Sequence, residues 1–119
     1  MDIKAVLEQL DTLFAQKKYD QAEPFLMASL EQAMKEGDDS SVVTLLNEII
    51  GFYRDSGQHA KSMAYGKRLL ALLKQMGLEG TIPYATSLLN VANACRAAGE
   101  LETSLSYYQT VEVLYRNHL

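Results

Sequence analysis

The sequence predicts an all-α fold: six helices paired into three antiparallel hairpins, stacked as one array over residues 1–119. Three observations carry this. Apolar and small residues recur at helical spacing along the whole chain, and no run alternates in the manner of a strand. The breaks between the periodic stretches are only a few residues long and hold Gly, Asp and Ser, the residues that stop and cap helices. Finally, the block Tyr84 to Leu119 has an earlier copy of itself. Gly99 minus Gly57 is 42, and at that offset Thr86, Leu88, Arg96, Ser104, Tyr107 and Leu114 meet Thr44, Leu46, Arg54, Ser62, Tyr65 and Leu72. A helical hairpin recurring at a fixed period near 40 residues is the sign of a stacked array, in which each unit buries its apolar face on its neighbours.

The first helix, residues 2–16, sets Ile3, Val6, Leu7, Leu10, Leu13 and Phe14 on one face, opposite a polar face. After Lys17-Lys18-Tyr19, Asp20 is the expected N-cap of the second helix, with Glu23 completing a capping box. Pro24 is expected in its first turn, where a missing N–H costs least. Ala22, Phe25, Leu26, Ser29, Leu30 and Ala33 form its buried stripe as far as Lys35. Gly37 is the expected left-handed stop, with Asp38 to Ser40 as caps for the third helix. That helix, about 41–55, carries Val42, Leu45, Leu46, Ile49, Ile50 and Tyr53; the fourth, about 59–76, carries Met63, Leu69, Leu70, Leu72, Leu73 and Met76. Gly77 and Gly80 bracket the longest loop, and Pro83 suits the first turn of the fifth helix. The break Ala98-Gly99-Glu100 separates the fifth helix from the sixth. The hairpins therefore span about 2–36, 40–77 and 81–118.

Composition narrows the function classes. A net charge of −4 argues against nucleic acid and anionic membrane surfaces, both of which demand a basic stripe. The apolar stretches are far shorter than the ~20 residues of a membrane span. Cys95 is the only cysteine, so no internal disulfide exists and a reducing compartment is favoured. The start, Met1-Asp2-Ile3-Lys4, shows no secretory pattern, and a cytoplasmic location is expected. His59 and His118 lie on different hairpins, which gives no metal-ligand spacing and no general base with an orienting partner. Glu36, Asp38 and Asp39 lack the periodicity of a calcium loop and read as caps. No glycine-rich phosphate loop occurs. No enzyme, metal or cofactor is expected.

The stretches Tyr19-Asp20-Gln21-Ala22-Glu23-Pro24-Phe25 and Pro83 to Asn93, with Arg96 and Gly99 in phase, resemble tetratricopeptide repeat (TPR) proteins. The spacing of 42 looks most like the longer, kinesin-light-chain type of repeat, against ~34 for the commonest form. The resemblance implies a right-handed superhelical α-solenoid that binds a protein or peptide segment without catalysis. It also implies that the first helix of each hairpin lines a concave groove, placing Lys4, Leu7, Glu8, Asp11, Thr44, Asn47, Glu48, Gly51, Arg54, Asp55, Asn90, Asn93, Arg96 and Ala97 on or near it. Some members clamp a peptide carboxylate there, but Leu7 and Asp11 at the corresponding first-repeat positions oppose such a clamp. The small residue of the family's first helix is Ala92 in the third repeat but Ile50 in the second, so Ile50 is expected to push its neighbours apart or face a gap. Lys17 stands where Gly57 and Gly99 sit.

Asn47, Glu48, Arg54, Asn90, Asn93 and Arg96 are the candidate peptide-binding residues. Carboxamides offer donor and acceptor to a peptide backbone, and arginine offers a fork to a carboxylate. The other reading is that these side chains are structural hydrogen bonds between hairpins, or plain solvated positions. Cys95, in phase with Tyr53 on an apolar stripe, reads as a small buried hydrophobe. The tyrosines recur at helical phase as core, groove edge or partner anchors. No further polar helix follows the sixth within these residues, so an apolar face of Leu105, Tyr108, Val111 and Leu114 is expected to be open. It could serve a homodimer or a longer array, which makes a self-assembly unit the alternative function.

Overall fold

A computed structural model describes residues 1–119 and contains six α-helices and no strand. They are α1 (Ile3–Ala15), α2 (Tyr19–Lys35), α3 (Asp39–Asp55), α4 (His59–Gln75), α5 (Ile82–Ala97) and α6 (Leu101–Asn117). The chain divides into two compact units, Met1–Leu45 and Leu46–Leu119. No helix is long and apolar enough to cross a membrane.

In the first unit α1 packs on α2. Leu10, Leu13, Ala22, Leu26, Leu30 and Ala33 are buried, and the Phe14 and Tyr19 rings meet at the corner, 6.1 Å between centroids. The start of α2 differs from the expectation. The helix begins at Tyr19, Lys18 occupies the N-cap without a side-chain bond, and Asp20 lies inside the first turn. Pro24 consequently falls in the second turn, where its missing N–H leaves the Asp20 carbonyl without a helical donor. The α3 cap is as expected. Asp38 Oδ1 accepts from the Ser41 backbone N–H at 3.2 Å and Oδ2 from the Ser41 hydroxyl at 2.6 Å. These bonds hold the Asp38 carboxyl below its usual range.

In the second unit α4 packs on α5 and α5 on α6, around Leu46, Ile49, Ile50, Leu69, Leu73, Leu88 and Val91. Ile50 is fully buried, and the small Ser62 on α4 donates its hydroxyl to the Ile50 carbonyl at 2.9 Å, so α3 and α4 approach closely there. Gly66 serves α5 in the same way: a Cβ there would meet Val91 Cγ1 at 3.1 Å. Thr81 caps α5 by accepting from the Tyr84 N–H, and Pro83 falls in the first turn as expected.

One turn closes the first helix of every hairpin. The Gly57 N–H donates to the Arg54 carbonyl and that of Gln58 to Tyr53; the Gly99 N–H donates to Arg96 and that of Glu100 to Cys95; the Lys17 N–H donates to Phe14 and that of Lys18 to Leu13. This pattern requires a left-handed residue at its pivot. Gly57 and Gly99 supply it at no steric cost, whereas Lys17 holds φ 58° with a Cβ attached. Lys17→Gly is therefore expected to stabilise the protein by about 1 kcal/mol, the cost of a left-handed backbone for a non-glycine residue. A higher urea midpoint at unchanged slope is the expected result; no gain would mean that the turn is unstrained.

Candidate functional site

The polar residues of α3 and α5 in the second unit form one strip. Asn47, Gly51 and Arg54, at i, i+4 and i+7, share a face of α3; Thr86, Asn90, Asn93 and Ala97 share a face of α5. Between them runs a directed chain of hydrogen bonds. Arg54 Nη1 donates to Asn90 Oδ1 at 3.0 Å. Asn90 Nδ2 donates to both the backbone carbonyl and Oδ1 of Asn47, each at 3.1 Å. Asn47 Nδ2 donates to the Ser87 hydroxyl at 3.1 Å. Arg54 Nε is held by Asp55 Oδ1 at 3.2 Å. At the edge of the strip toward α6, Asn93 Oδ1 accepts from the Tyr108 hydroxyl at 2.5 Å.

The structure thus brings Asn47, Arg54 and Asn90 together and ties them to each other. The Asn47 and Asn90 carboxamides and Arg54 Nη1 are spent on joining α3 to α5. Asn93 is half spent, on joining α5 to α6. Arg96 projects into solvent and Glu48 is exposed beside the strip. After the internal bonds are made, Arg54 Nη2, Asn93 Nδ2 and the Arg96 guanidinium remain, all of them donors. Arg54 Nη2 lies over Gly51, 3.5 Å from where a Cβ would stand, and no other side chain beyond the two chain neighbours comes within 4 Å of that point. Ser87, which ends the chain, escaped the sequence reading. Its signal was its place one turn before Asn90, but a serine at that spacing is indistinguishable from one that merely packs, and Ser87 is also buried.

The other candidates resolve differently. Lys4, Glu8 and Asp11 on α1 are exposed, and Leu7 is half-buried. Cys95 is buried, and that burial pushes its thiol above the usual range, with Glu100 adding to the shift; a nucleophile needs the opposite direction. Tyr53 is buried with its ring stacked on Tyr65, 5.7 Å between centroids. No group of three or more His, Cys, Asp or Glu side chains comes together to hold a metal ion. Of the four residues expected to form an open face on α6, only Leu105 is exposed. Val111 is buried, Tyr108 and Leu114 are half-buried, and the exposed large apolar residues of α6 are Leu101, Leu105 and Val113. The helix is rotated so that the Leu105–Val111 stripe straddles the boundary between core and solvent.

Helix hairpins closed by a common turn, with α3 and α5 joined through their polar faces, define a helical-repeat fold. The fold is that of a TPR domain: the chain is similar to the crystal structure of the TPR domain of Arabidopsis FLU, with a TM-score of 0.80 and 16% sequence identity, over 97% of this chain and 95% of that one. No protein-family model and no curated protein matches the chain.

Proposed function

We propose that the protein is a non-catalytic binding module whose polar strip on α3 and α5 captures a peptide segment rich in hydrogen-bond acceptors. The observation that carries this is the donor-only character of the groups left once the internal bonds are made: Arg54 Nη2, Asn93 Nδ2 and Arg96. Main-chain carbonyls and a carboxylate complement such a set. Glu48 and Asp55 border the strip, so a long acidic run would be repelled. One carboxylate flanked by carbonyls fits better. The fold of a TPR domain, used elsewhere for protein interaction, supports the reading.

Gly51 supports it too. A glycine inside a helix costs about 1 kcal/mol against alanine, and no packing contact in the chain needs its smallness. It leaves bare backbone beside Arg54, where a partner's main chain can approach.

Panning a random-peptide library on the purified chain tests the proposal. Enriched peptides should carry an Asp, a Glu or a free C-terminal carboxylate. Arg96→Ala should weaken their binding by about tenfold, equivalent to ~1.4 kcal/mol, while leaving the unfolding midpoint in place, since Arg96 holds nothing else. Failure to enrich any peptide, or equal affinity for wild type and Arg96→Ala, would defeat the assignment.

A further inference from the structure

We infer that the solvent face of α4 is a docking surface for an acidic helical segment of another protein. Charge singles this face out. Of the 11 Lys and Arg residues of the chain, four (Lys61, Lys67, Arg68 and Lys74) lie on α4, and none of the 15 Asp and Glu residues does. Each of the other five helices carries a single basic residue. All four cations of α4 are exposed, and their order follows the helix. At about 100° per residue, Lys61 and Arg68 fall along one edge of the face and Lys67 and Lys74 along the other. The exposed Ala64 and Ala71 run between the two rows. The members of each row are seven residues apart, a rise of about 10 Å. A shallow furrow results, floored by small side chains and walled on both sides by cations.

The fold itself does not require these charges. On α6, 42 residues further on, the same six positions hold Thr103, Ser106, Gln109, Thr110, Val113 and Arg116, all exposed, so mostly neutral side chains meet solvent there. Lys61 even opposes helix stability. It stands in the first turn of α4, which holds no acidic residue and where the helix dipole disfavours a cation. Lys61 and Lys67 pair with no carboxylate, and Lys74 reaches Glu79 at 3.4 Å in an exposed pair of the kind that contributes little. One wall is set in advance. Lys61 Nζ lies 5.3 Å from the centroid of the Tyr53 ring and Arg68 Cζ 5.1 Å from that of Tyr65, over two rings that stack on each other. Cations held over aromatic faces have less freedom to lose when a partner binds.

Rows of cations with a seven-residue spacing match carboxylates spaced by seven along a second helix, and the alanines let two helices approach closely. A phosphate polymer or an anionic bilayer fits less well. The carboxylates that crowd the rest of the chain would repel either one, and Ala64 and Ala71 offer no bulky apolar group to insert into a bilayer. The furrow shares no residue with the polar strip on α3 and α5, so the two assignments stand or fall separately.

The probe is a synthetic helical peptide as long as α4, 17 residues, with an alanine row flanked on both sides by glutamates spaced by seven. Fluorescence anisotropy should show binding that weakens as salt is added, and binding about tenfold weaker for the same peptide with Gln in place of Glu. Lys61→Gln with Lys67→Gln should weaken the glutamate peptide about tenfold without lowering the urea midpoint of the protein. Ala64→Gln with Ala71→Gln keeps all four charges but fills the furrow, and should weaken binding to a similar extent. No binding, equal binding of the two peptides, or indifference to either pair of substitutions would overturn the inference. Tighter binding of a single-stranded oligonucleotide or of phosphatidylserine vesicles would overturn it as well, by showing that the face reads phosphate. Self-association of the chain that is abolished by Lys61→Gln with Lys67→Gln would overturn it in favour of a second copy as the occupant.

Discussion

Gly66→Leu is expected to cost about 3 kcal/mol, the upper end of the usual penalty for forcing extra carbons into a packed contact. The argument is geometric. A Cβ alone at Gly66 would stand 3.1 Å from Val91 Cγ1 and 3.3 Å from Cγ2, inside ordinary van der Waals range. Leucine adds three further carbons between α4 and α5, and Val91 is itself buried, so it has nowhere to retreat. Gly66→Ala separates the effects. Alanine gains about 1 kcal/mol of helix propensity over glycine and gives much of that back at Val91, so its net change should be small. Urea unfolding reads both variants, and a lowered midpoint with unchanged slope identifies a pure loss of stability. Val91→Ala should destabilise the wild type by opening a cavity yet partly rescue Gly66→Leu by making room for it. If Gly66→Leu unfolds with the wild type, the close approach of α4 to α5 is not part of the folded state.

How much of this was legible beforehand depends on the length scale of each signal. The helices and the hairpin pairing follow from periodicity and punctuation, which are local. Gly37, Gly57 and Gly99 do take left-handed φ, and Asp38 does cap α3. The errors in α2 were also local. The turn after α1 needs its left-handed pivot at Lys17, so helix begins directly after Lys18, before Asp20 can act as a cap. The close-approach residue was harder to read. Repeat alignment draws attention to Ile50 on the first helix, and does not reveal that Ser62 on the partner helix bonds the Ile50 carbonyl or that Gly66 gives the close approach toward the next hairpin. The 42-residue offset compares equivalent positions and is blind to which unlike positions touch. It pairs Asn90 with Glu48 and Asn93 with Gly51, while the folded chain bonds Asn90 to Asn47 and Arg54. The same blindness explains α6, where a stripe drawn through Leu105 and Val111 joined one exposed residue to one buried one.

The choice between binding and structure at the polar strip falls on Asn90. Asn90→Ala removes the acceptor of Arg54 Nη1 and the donor to both oxygens of Asn47, leaving half-buried polar groups without their partners. A stability loss of about 1–3 kcal/mol is expected, the usual cost of stranding such groups. Arg54→Ala should lose less, because the Asn90 carboxamide keeps its bonds to Asn47. The double variant should show a coupling of about 1 kcal/mol, as contacting polar partners do. Arg96→Ala, with no bond to break, should remain within about 0.5 kcal/mol of wild type, as exposed substitutions generally do. This ordering bears on how the binding proposal can be tested. Changing Asn90, Asn93 and Arg96 together would remove a tie between α3 and α5 and another between α5 and α6, so lost capture could not be told from a loosened fold. Arg96 isolates recognition, Asn90 isolates the tie, and denaturant titration of the two side by side separates them. Equal stability of Asn90→Ala and wild type would mean that the Arg54–Asn90–Asn47 chain exchanges freely with water, and would return the carboxamides to the pool of groups open to a partner.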